Sequence, residues 1–241
     1  MSTVLLALVG DAVRVDRPLL TYRDDATGEH VELSAADLGG WVARTASLLR
    51  DGCGLRSGDR VAVLSPPHWQ TAAVLLGAWS LGLSVSFRPW ATAGLSGAQD
   101  SDAPFDAVFV TRGRLGSWLE TVPAANHKFV LNLAPGDAER PPAEGFYLDF
   151  LDEVGRFPDV TPAYAEVRAD DAASPDGTTY EEWARAARGV AEHLGVRPGD
   201  RLLVDVTASE EPLLWLLAPL SVGASILLHA HLDEATLAGL R

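Results

Sequence analysis

Two stretches of the chain repeat one another at an offset of 141 residues, and this repeat restricts the fold more than any other feature. Residues 55–87 align with residues 196–228 without a gap, and ten of the 33 aligned pairs are identical. Biased Leu and Gly composition produces some of these matches, but the expected turn, strand and helix boundaries coincide as well. A repeat of this length indicates a duplicated supersecondary unit.

Each copy is predicted to contain a helix, a turn, a strand, a second helix and a second strand. In the first copy, the capping box Ser34-Ala-Ala-Asp37 begins a helix predicted over residues 34–50, and strands are predicted near 61–64 and 83–87. In the second copy, Thr179-Tyr-Glu-Glu182 begins the matching helix. Apolar strands separated by a helix favour parallel pairing with right-handed crossovers. The predicted fold class is therefore α/β, with two related layered sub-domains and mostly parallel sheets flanked by helices.

The order of these signals predicts a division of the chain into three parts. The first α/β sub-domain covers residues 1–133 and includes further strands near 106–110 and 129–133, around a helix that contains Leu115, Trp118 and Leu119. Residues 134–175 are rich in Pro, Gly and acidic residues and are predicted to form a connection. The second, shorter copy covers residues 176–241.

Several stretches resemble the amino-terminal region of the adenylate-forming superfamily, which includes acyl-CoA synthetases, the adenylation domains of peptide synthetases, and luciferases. They follow one another in the order that this family uses: Arg17-Pro-Leu-Leu-Thr-Tyr22, Gly58-Asp-Arg-Val-Ala-Val-Leu64, Gly77-Ala-Trp-Ser-Leu-Gly82, Arg197-Pro-Gly-Asp-Arg-Leu-Leu-Val204 and Pro219-Leu-Ser-Val-Gly-Ala-Ser-Ile-Leu-Leu228. The resemblance implies the first part of the family's large domain. It places the later motifs and the small carboxy-terminal domain beyond Arg241, so we expect a shortened, degenerate relative.

The resemblance also implies a phosphate-binding loop just before the helix of the second copy, where family members carry a Ser/Thr/Gly-rich loop that ends in a lysine. This chain has Ser174-Pro-Asp-Gly-Thr-Thr-Tyr-Glu-Glu182 there, and its only lysine, Lys128, lies elsewhere. The glycine and the threonines fit phosphate donors, whereas the acidic residues repel phosphate by a few kcal/mol at about 4 Å and intermediate dielectric. No catalytic residue is assigned. The candidate ligand-binding residues of the loop are Asp176, Gly177, Thr178 and Thr179.

Two further sets of residues are candidates for binding. Arg88 and Trp90 follow the strand near 83–87, and open α/β sheets bind ligands at the carboxyl ends of their strands; a structural loop is the alternative. His229 and His231 follow the last strand, where a period of two puts them on one side with Asp233 and makes them metal-ligand candidates. A polar strand exit is the alternative there, and we predict no metal.

Composition excludes several classes of function. With 33 acidic and 19 basic residues, the formal charge is −14, which argues against nucleic acid and against an anionic membrane surface. The longest apolar stretch, residues 213–220, is far shorter than the roughly 20 residues of a membrane span. The single cysteine fits a reducing compartment, and we expect no signal peptide, because the apolar run of residues 1–9 is short and has no basic region before it. We therefore expect a cytoplasmic protein.

These observations leave two hypotheses about function. The first is a non-catalytic homologue of adenylate-forming enzymes without a cofactor, which binds a small ligand or a partner; a homodimer or a protein partner is expected to cover the exposed edges of its sheets. The alternative is an adenylate-forming ligase that activates a carboxylate, with ATP or AMP and Mg²⁺ as cofactors, and that works either with its altered loop or with complementation by a second chain. The degenerate loop favours the first.

Overall fold

The computed structural model describes residues 17–90, 103–117, 121–134, 137, 146–160 and 167–232. Strands and helices alternate over most of this length. The strands are β1 (Leu20–Asp24), β2 (His30–Leu33), β3 (Arg60–Leu64), β4 (Ser84–Phe87), β5 (Phe105–Thr111), β6 (Ala125–Leu131), β7 (Leu148–Asp149), β8 (Arg201–Asp205) and β9 (Ser225–Ala230). The helices are α1 (Ala35–Ser47), α2 (Trp69–Ser80), α3 (Arg112–Leu115), α4 (Phe150–Val154), α5 (Tyr180–His193) and α6 (Ala218–Ser221), with π-helical turns at Leu48–Gly52 and Leu213–Leu217.

The strands form two sheets, one for each copy of the repeat. The first-copy sheet has the order β4-β3-β5-β6-β7, and all of its neighbours are parallel. The second-copy sheet has the order β2-β1-β9-β8, with one antiparallel pair, β1 with β2. The predicted α/β class with mostly parallel sheets flanked by helices is therefore confirmed.

The two copies have the same register at the offset of 141 residues. Arg60 of β3 lies opposite Ser84 of β4, and Arg201 of β8 lies opposite Ser225 of β9. The turn before each first strand is also closed in the same way, because Gly58 N donates to Gly82 O at 2.9 Å and the equivalent glycine pair is joined at 3.2 Å. The sequence repeat is thus a structural repeat.

A hairpin that the sequence analysis did not predict completes the second-copy sheet. β1 and β2 form it, and β1 runs parallel to β9, with Leu20 opposite Ile226. Its turn is held by the Asp24 carboxylate, which accepts a hydrogen bond from Ala26 N at 2.9 Å. Residues 20–33 therefore lie in the second-copy sheet, whereas the proposed division at residues 133 and 175 stays a prediction.

Helix α2 lies in the middle of the core. It contacts β3 and β4 of one sheet and β1 of the other, and all of its residues are buried. The sequence predicts an inward stripe of Val74, Leu75, Ala78 and Trp79 on this helix, but a helix between two sheets has no solvent face. One hydrophobic cluster accordingly includes residues of both copies. In the part of the chain that the structure describes, no helix is long and apolar enough to cross a membrane.

Some predicted boundaries differ from the structure. The helix predicted over 34–50 is regular only to Ser47 and continues as the π-helical turn. The strand predicted near 129–133 spans Ala125–Leu131. Its polar first half also pairs with β5, but a polar stretch of this kind has no apolar pattern from which a strand can be predicted. Helix α3 is a single turn, and Trp118 and Leu119 lie outside the described residues.

Candidate functional site

The predicted phosphate loop is a closed hairpin at the amino end of α5. Ala172 and Thr179 form an antiparallel bridge, and Ala173 N donates to Thr178 O at 2.8 Å. Gly177 N donates to Ser174 O at 3.0 Å and has a φ of +88°, a left-handed conformation that glycine adopts without strain. The Pro-Asp-Gly order is typical of such a tight turn. We call residues 172–179 the closed hairpin.

Side-chain and backbone acceptors take up the N–H groups that a phosphate would need. Asp176 Oδ1 accepts from Thr178 N at 3.0 Å and from Ser174 Oγ at 2.6 Å. Glu182 Oε2 accepts from Thr179 N at 2.8 Å and from Thr179 Oγ1 at 2.9 Å, as half of the predicted capping box. The next two N–H groups, of residues 180 and 181, donate to backbone carbonyls at 3.1 and 2.9 Å. Two carboxylates therefore occupy donors that phosphate oxygens use in an open loop.

These hydrogen bonds also fix the charge of the closed hairpin. The hydroxyl of Ser174 and the N–H of Thr178 hold the pKa of Asp176 below its ordinary value. The N–H and the hydroxyl of Thr179 lower the pKa of Glu182 in the same way. Both groups are anionic at neutral pH, so the amino end of α5 is already neutralised by acidic side chains of the chain itself.

The closed hairpin is anchored on the first copy. Val85 N of β4 donates to Ala173 O at 2.9 Å, and Trp79 Nε1 donates to the same carbonyl at 3.3 Å. The buried hydroxyl of Tyr180 donates to Leu83 O at 2.8 Å. The conformation of the hairpin is therefore determined by packing between the copies as well as by its own turn.

A cleft of about 360 Å³ lies between the closed hairpin and the amino ends of β3 and β4. Its lining includes three serines, Arg60 and Asp171, and the Arg60 guanidinium also lies 4.4 Å from the ring centroid of Phe105 and donates to Ala103 O at 3.3 Å. Its lining residues are Ser57, Gly58, Arg60, Gly82, Ser84, Asp171, Ala172, Ser174, Pro175 and Gly177. Sequence analysis missed Arg60, Ser84 and Asp171 as site residues, because they come together only in the fold and have no common spacing.

The second copy has an equivalent cleft that is almost closed. It is lined by Gly199, Asp200, Gly223 and Ser225, the counterparts of the first-copy positions at the same offset, and has a volume of only about 20 Å³. Residues 17–19, which lead into β1, form its other wall. The larger cleft is therefore a property of the first copy and of the closed hairpin beside it.

Arg88 and Trp90 lie at the other end of β4, as predicted from the strand order. Trp90 is 43% exposed, its backbone N–H donates to the Glu210 carboxylate, and the guanidinium of Arg114 lies 5.2 Å from its ring centroid. Arg88 is half-buried and its guanidinium lies 5.7 Å from the ring of Phe105. The structure thus keeps these two residues apart from the closed hairpin.

His229 and His231 do not converge on a common point. His229 Nε2 lies 2.9 Å from Asp25 Oδ2, while His231 Nδ1 lies 2.8 Å from Asp24 Oδ1. A left-handed backbone at His231, with a φ of +52°, breaks the strand alternation that made the two histidines metal-ligand candidates. Among the described residues no group of three or more potential ligands is arranged to hold a metal ion, and Asp233 lies outside them.

Solved structures of CoA ligases have a similar fold. Acetoacetyl-CoA synthetase from Streptomyces lividans is 20% identical, with a TM-score of 0.70 over 95% of this chain and 38% of that chain. An acyl-CoA synthetase from Brucella canis is 18% identical, with a TM-score of 0.69 over 99% of this chain and 46% of that chain. The N-terminal domain of FACL13 from Mycobacterium tuberculosis is 17% identical, with a TM-score of 0.62 over 100% of this chain and 60% of that chain. The chain therefore spans between 38% and 60% of these chains and has the fold of the N-terminal part of adenylate-forming enzymes, as its sequence resemblance implies.

The sequence comparisons are more restricted. No protein-family model matches the chain. A curated protein of Mycobacterium tuberculosis (strain ATCC 25618 / H37Rv), named TIGR03089 family protein, is 33% identical over an alignment 252 residues long that covers 98% of this chain and 93% of that protein. At this identity, and over almost the whole length of both proteins, the chain belongs to the TIGR03089 family.

Proposed function

We propose that this chain is a non-catalytic homologue of adenylate-forming enzymes that acts by binding a small ligand or a protein partner. The observation that carries the proposal is the closed hairpin. The Asp176 and Glu182 carboxylates accept the hydrogen bonds that a nucleotide phosphate would accept in an open loop. Both carboxylates are anionic, so they also repel a triphosphate.

Binding of ATP at this place would require the hairpin to open. Opening it would break the Ala173–Thr178 and Ser174–Gly177 hydrogen bonds and would remove the carbonyl on which Val85 and Trp79 depend. The chain has a single lysine, Lys128, which lies on β6 and not in the loop, to compensate the phosphate charge. Each of these effects opposes nucleotide binding.

The cleft beside the closed hairpin supports the ligand-binding part of the proposal. Its Arg60 and Asp171 carry opposite charges, and its serines add neutral hydrogen-bonding groups. A small polar molecule with both a donor-rich and an acidic part fits this chemistry better than a nucleotide does. The ligand class we propose is therefore a small zwitterionic or polyhydroxylated molecule.

A second candidate function, an adenylate-forming ligase, is favoured by the fold shared with CoA ligases. The two candidates are separated by calorimetric titration of ATP and AMP with and without Mg²⁺, and by ATP–pyrophosphate exchange over a panel of fatty and amino acids. We expect neither binding heat nor exchange. Exchange that disappears in Thr178→Ala but persists in Thr27→Ala, a matched change in the β1–β2 turn, would establish the ligase and overturn our proposal.

The ligand is sought with a thermal-shift screen of small polar metabolites. A ligand of the cleft raises the melting temperature of the wild type, and Ser84→Val, which replaces a hydroxyl of the cleft wall by a methyl group and adds a second one, reduces this shift. Ser225→Val is the matched control, because Ser225 occupies the same position in the nearly closed cleft of the second copy. Equal shifts in both variants would place the ligand elsewhere.

A further inference from the structure

The duplicated strands β3 and β8 have different surroundings. β3 pairs with β4 on one side and with β5 on the other. β8 pairs with β9 in the same register as β3 with β4, but across the described residues its outer side has no strand neighbour. The repeat therefore identifies β8 as a strand whose counterpart is paired on both edges, while its own outer edge is open within the described part of the chain. An open edge of this kind is a template for pairing with another chain.

The hydrogen bonds around β8 show which backbone groups point outward. Ser225 N donates to Asp200 O at 2.8 Å, and Val206 N donates to His229 O at 3.1 Å. In a parallel ladder, these two bonds mean that the backbone N–H and C=O groups of the even-numbered residues of β8 point toward β9. The N–H and C=O groups of Arg201 and Leu203 therefore point away from β9, toward the open edge.

The sequence of β8 is complementary to itself in the antiparallel direction. When Arg201-Leu-Leu-Val-Asp205 faces a second copy centred on Leu203, each Arg201 lies opposite Asp205 of the other copy. Leu203 then faces its own counterpart on the two-fold axis, as a symmetric dimer interface requires. Opposite charges that face each other across an antiparallel pair stabilise it, and both pairs here have that arrangement.

The side chains beside the open edge also favour a partner. Leu203 and Leu227 are only half-buried and belong to neither hydrophobic cluster, whereas Val204 on the other face of the same strand is part of the core. The Arg201 guanidinium lies across this outer face and donates from Nη2 to Thr21 Oγ1 of β1 at 2.8 Å, so it is directed inward over β9 and has to turn toward the edge to meet Asp205 of a second copy. The apolar side chain of Leu203 thus lies on the edge strand with which a second copy would pair, next to Leu227 of β9.

We propose that the protein forms a homodimer in which two β8 strands pair antiparallel around Leu203. The two second-copy sheets then join into one continuous eight-stranded sheet. This inference depends on the edge of the second-copy sheet and not on the closed hairpin, so it is independent of whether the chain binds or turns over a nucleotide.

Sedimentation velocity of the full chain at micromolar concentration tests the proposal. The wild type is expected at twice the chain mass of 25.6 kDa. Arg201→Glu alone and Asp205→Lys alone place like charges opposite each other at both ends of the strand pair, and each should raise the dissociation constant about tenfold or more. Mixed in equal amounts, the two variants have complementary charges again and should form a heterodimer of wild-type affinity.

Control variants separate the strand pairing from a general effect of charge. Arg197→Glu and Glu192→Lys change the same charges at exposed positions outside β8 and should leave the dimer unchanged. Leu203→Lys places two cations on the two-fold axis at a half-buried position and should also dissociate the dimer. Near-ultraviolet circular dichroism verifies that each variant is folded, and the mixing experiment reports pairing even where one variant is less stable.

Several results would overturn the proposal. A monomeric wild type at these concentrations would do so, as would a dimer that persists in all three β8 variants. A different protein that co-purifies in stoichiometric amount and is released by Leu203→Lys would show that the edge binds another chain instead of a second copy. Since mass and nucleotide turnover are measured separately, failure of this proposal leaves the proposed function standing, and the reverse also holds.

Discussion

Replacement of Gly77 by alanine should destabilise the protein although alanine is the better helix former. Gly77 lies in α2 where this helix crosses α1. A Cβ atom at this position would lie 2.7 Å from both Cβ and Cγ2 of Thr45 and 3.3 Å from the carbonyl oxygen of Val42. These atoms are on, or next to, the backbone of α1, so the two helices would have to separate.

The magnitude follows from two opposing effects. Alanine is favoured over glycine in a helix interior by about 1 kcal/mol. Overpacking of a dense core costs about 1–3 kcal/mol, and the upper half of that range applies because both helices are tightly packed and the contact is far below van der Waals distance. The net loss in unfolding free energy is therefore about 1–2 kcal/mol, which lowers the melting temperature of a chain of this size by about 2–8 °C.

Differential scanning calorimetry of three variants tests this reasoning. Gly189→Ala is the matched control, because an added Cβ on this glycine of α5 meets nothing within 4 Å, so the variant should be more stable than wild type. Thr45→Ser removes Cγ2 but keeps the hydroxyl that donates to Trp41 O at 2.8 Å, and in the Gly77→Ala background it should restore part of the lost stability. A Gly77→Ala protein that melts at or above the wild-type temperature would refute the close helix contact.

Two further predictions concern the closed hairpin and its anchor. In a urea titration, Tyr180→Phe should lower the unfolding free energy by about 1–2 kcal/mol, because it leaves the buried Leu83 carbonyl without the donor hydroxyl. Tyr147→Phe is the control and should leave the unfolding free energy unchanged, because it keeps the ring whose centroid lies 5.7 Å from Lys128 Nζ. Asp176→Asn should reduce stability at neutral pH, and the difference from wild type should shrink as the pH falls below 3.8, since a carboxyl with a lowered pKa stabilises the fold only while it is ionised. A pH-independent difference in melting temperature would contradict this assignment.

Local signals in the sequence predict much of the fold. Both capping boxes form, at Ser34 with Asp37 and at Thr179 with Glu182, because each requires only neighbouring residues to meet. The repeated Gly-Asp-Arg turns precede β3 and β8 as expected, and the offset of 141 residues fixes the register of both strand pairs. Periodicity and turn chemistry act over a few residues, so they can be interpreted without the tertiary structure.

Long-range pairing and the shape of the site could not be predicted in this way. β1 pairs with β9 over about 200 residues of intervening chain, and its sequence does not show which strand it will join. The cleft needs Arg60, Ser84 and Asp171 from three separate segments. The closed conformation of the loop, in contrast, could have been predicted. Ser174-Pro-Asp-Gly177 has the residue order of a tight turn, and a tight turn competes with an open phosphate-binding loop.

The conformation of the closed hairpin is linked to the stability of the fold. The Ala173 carbonyl, which closes one end of the hairpin, is also the acceptor for Val85 and Trp79 of the first copy. Tyr180, the first residue of α5, donates to the first copy as well. An open loop would therefore give up contacts between the copies, so changes that open this hairpin must also loosen the junction between them. The closed turn is therefore part of what holds the two copies together.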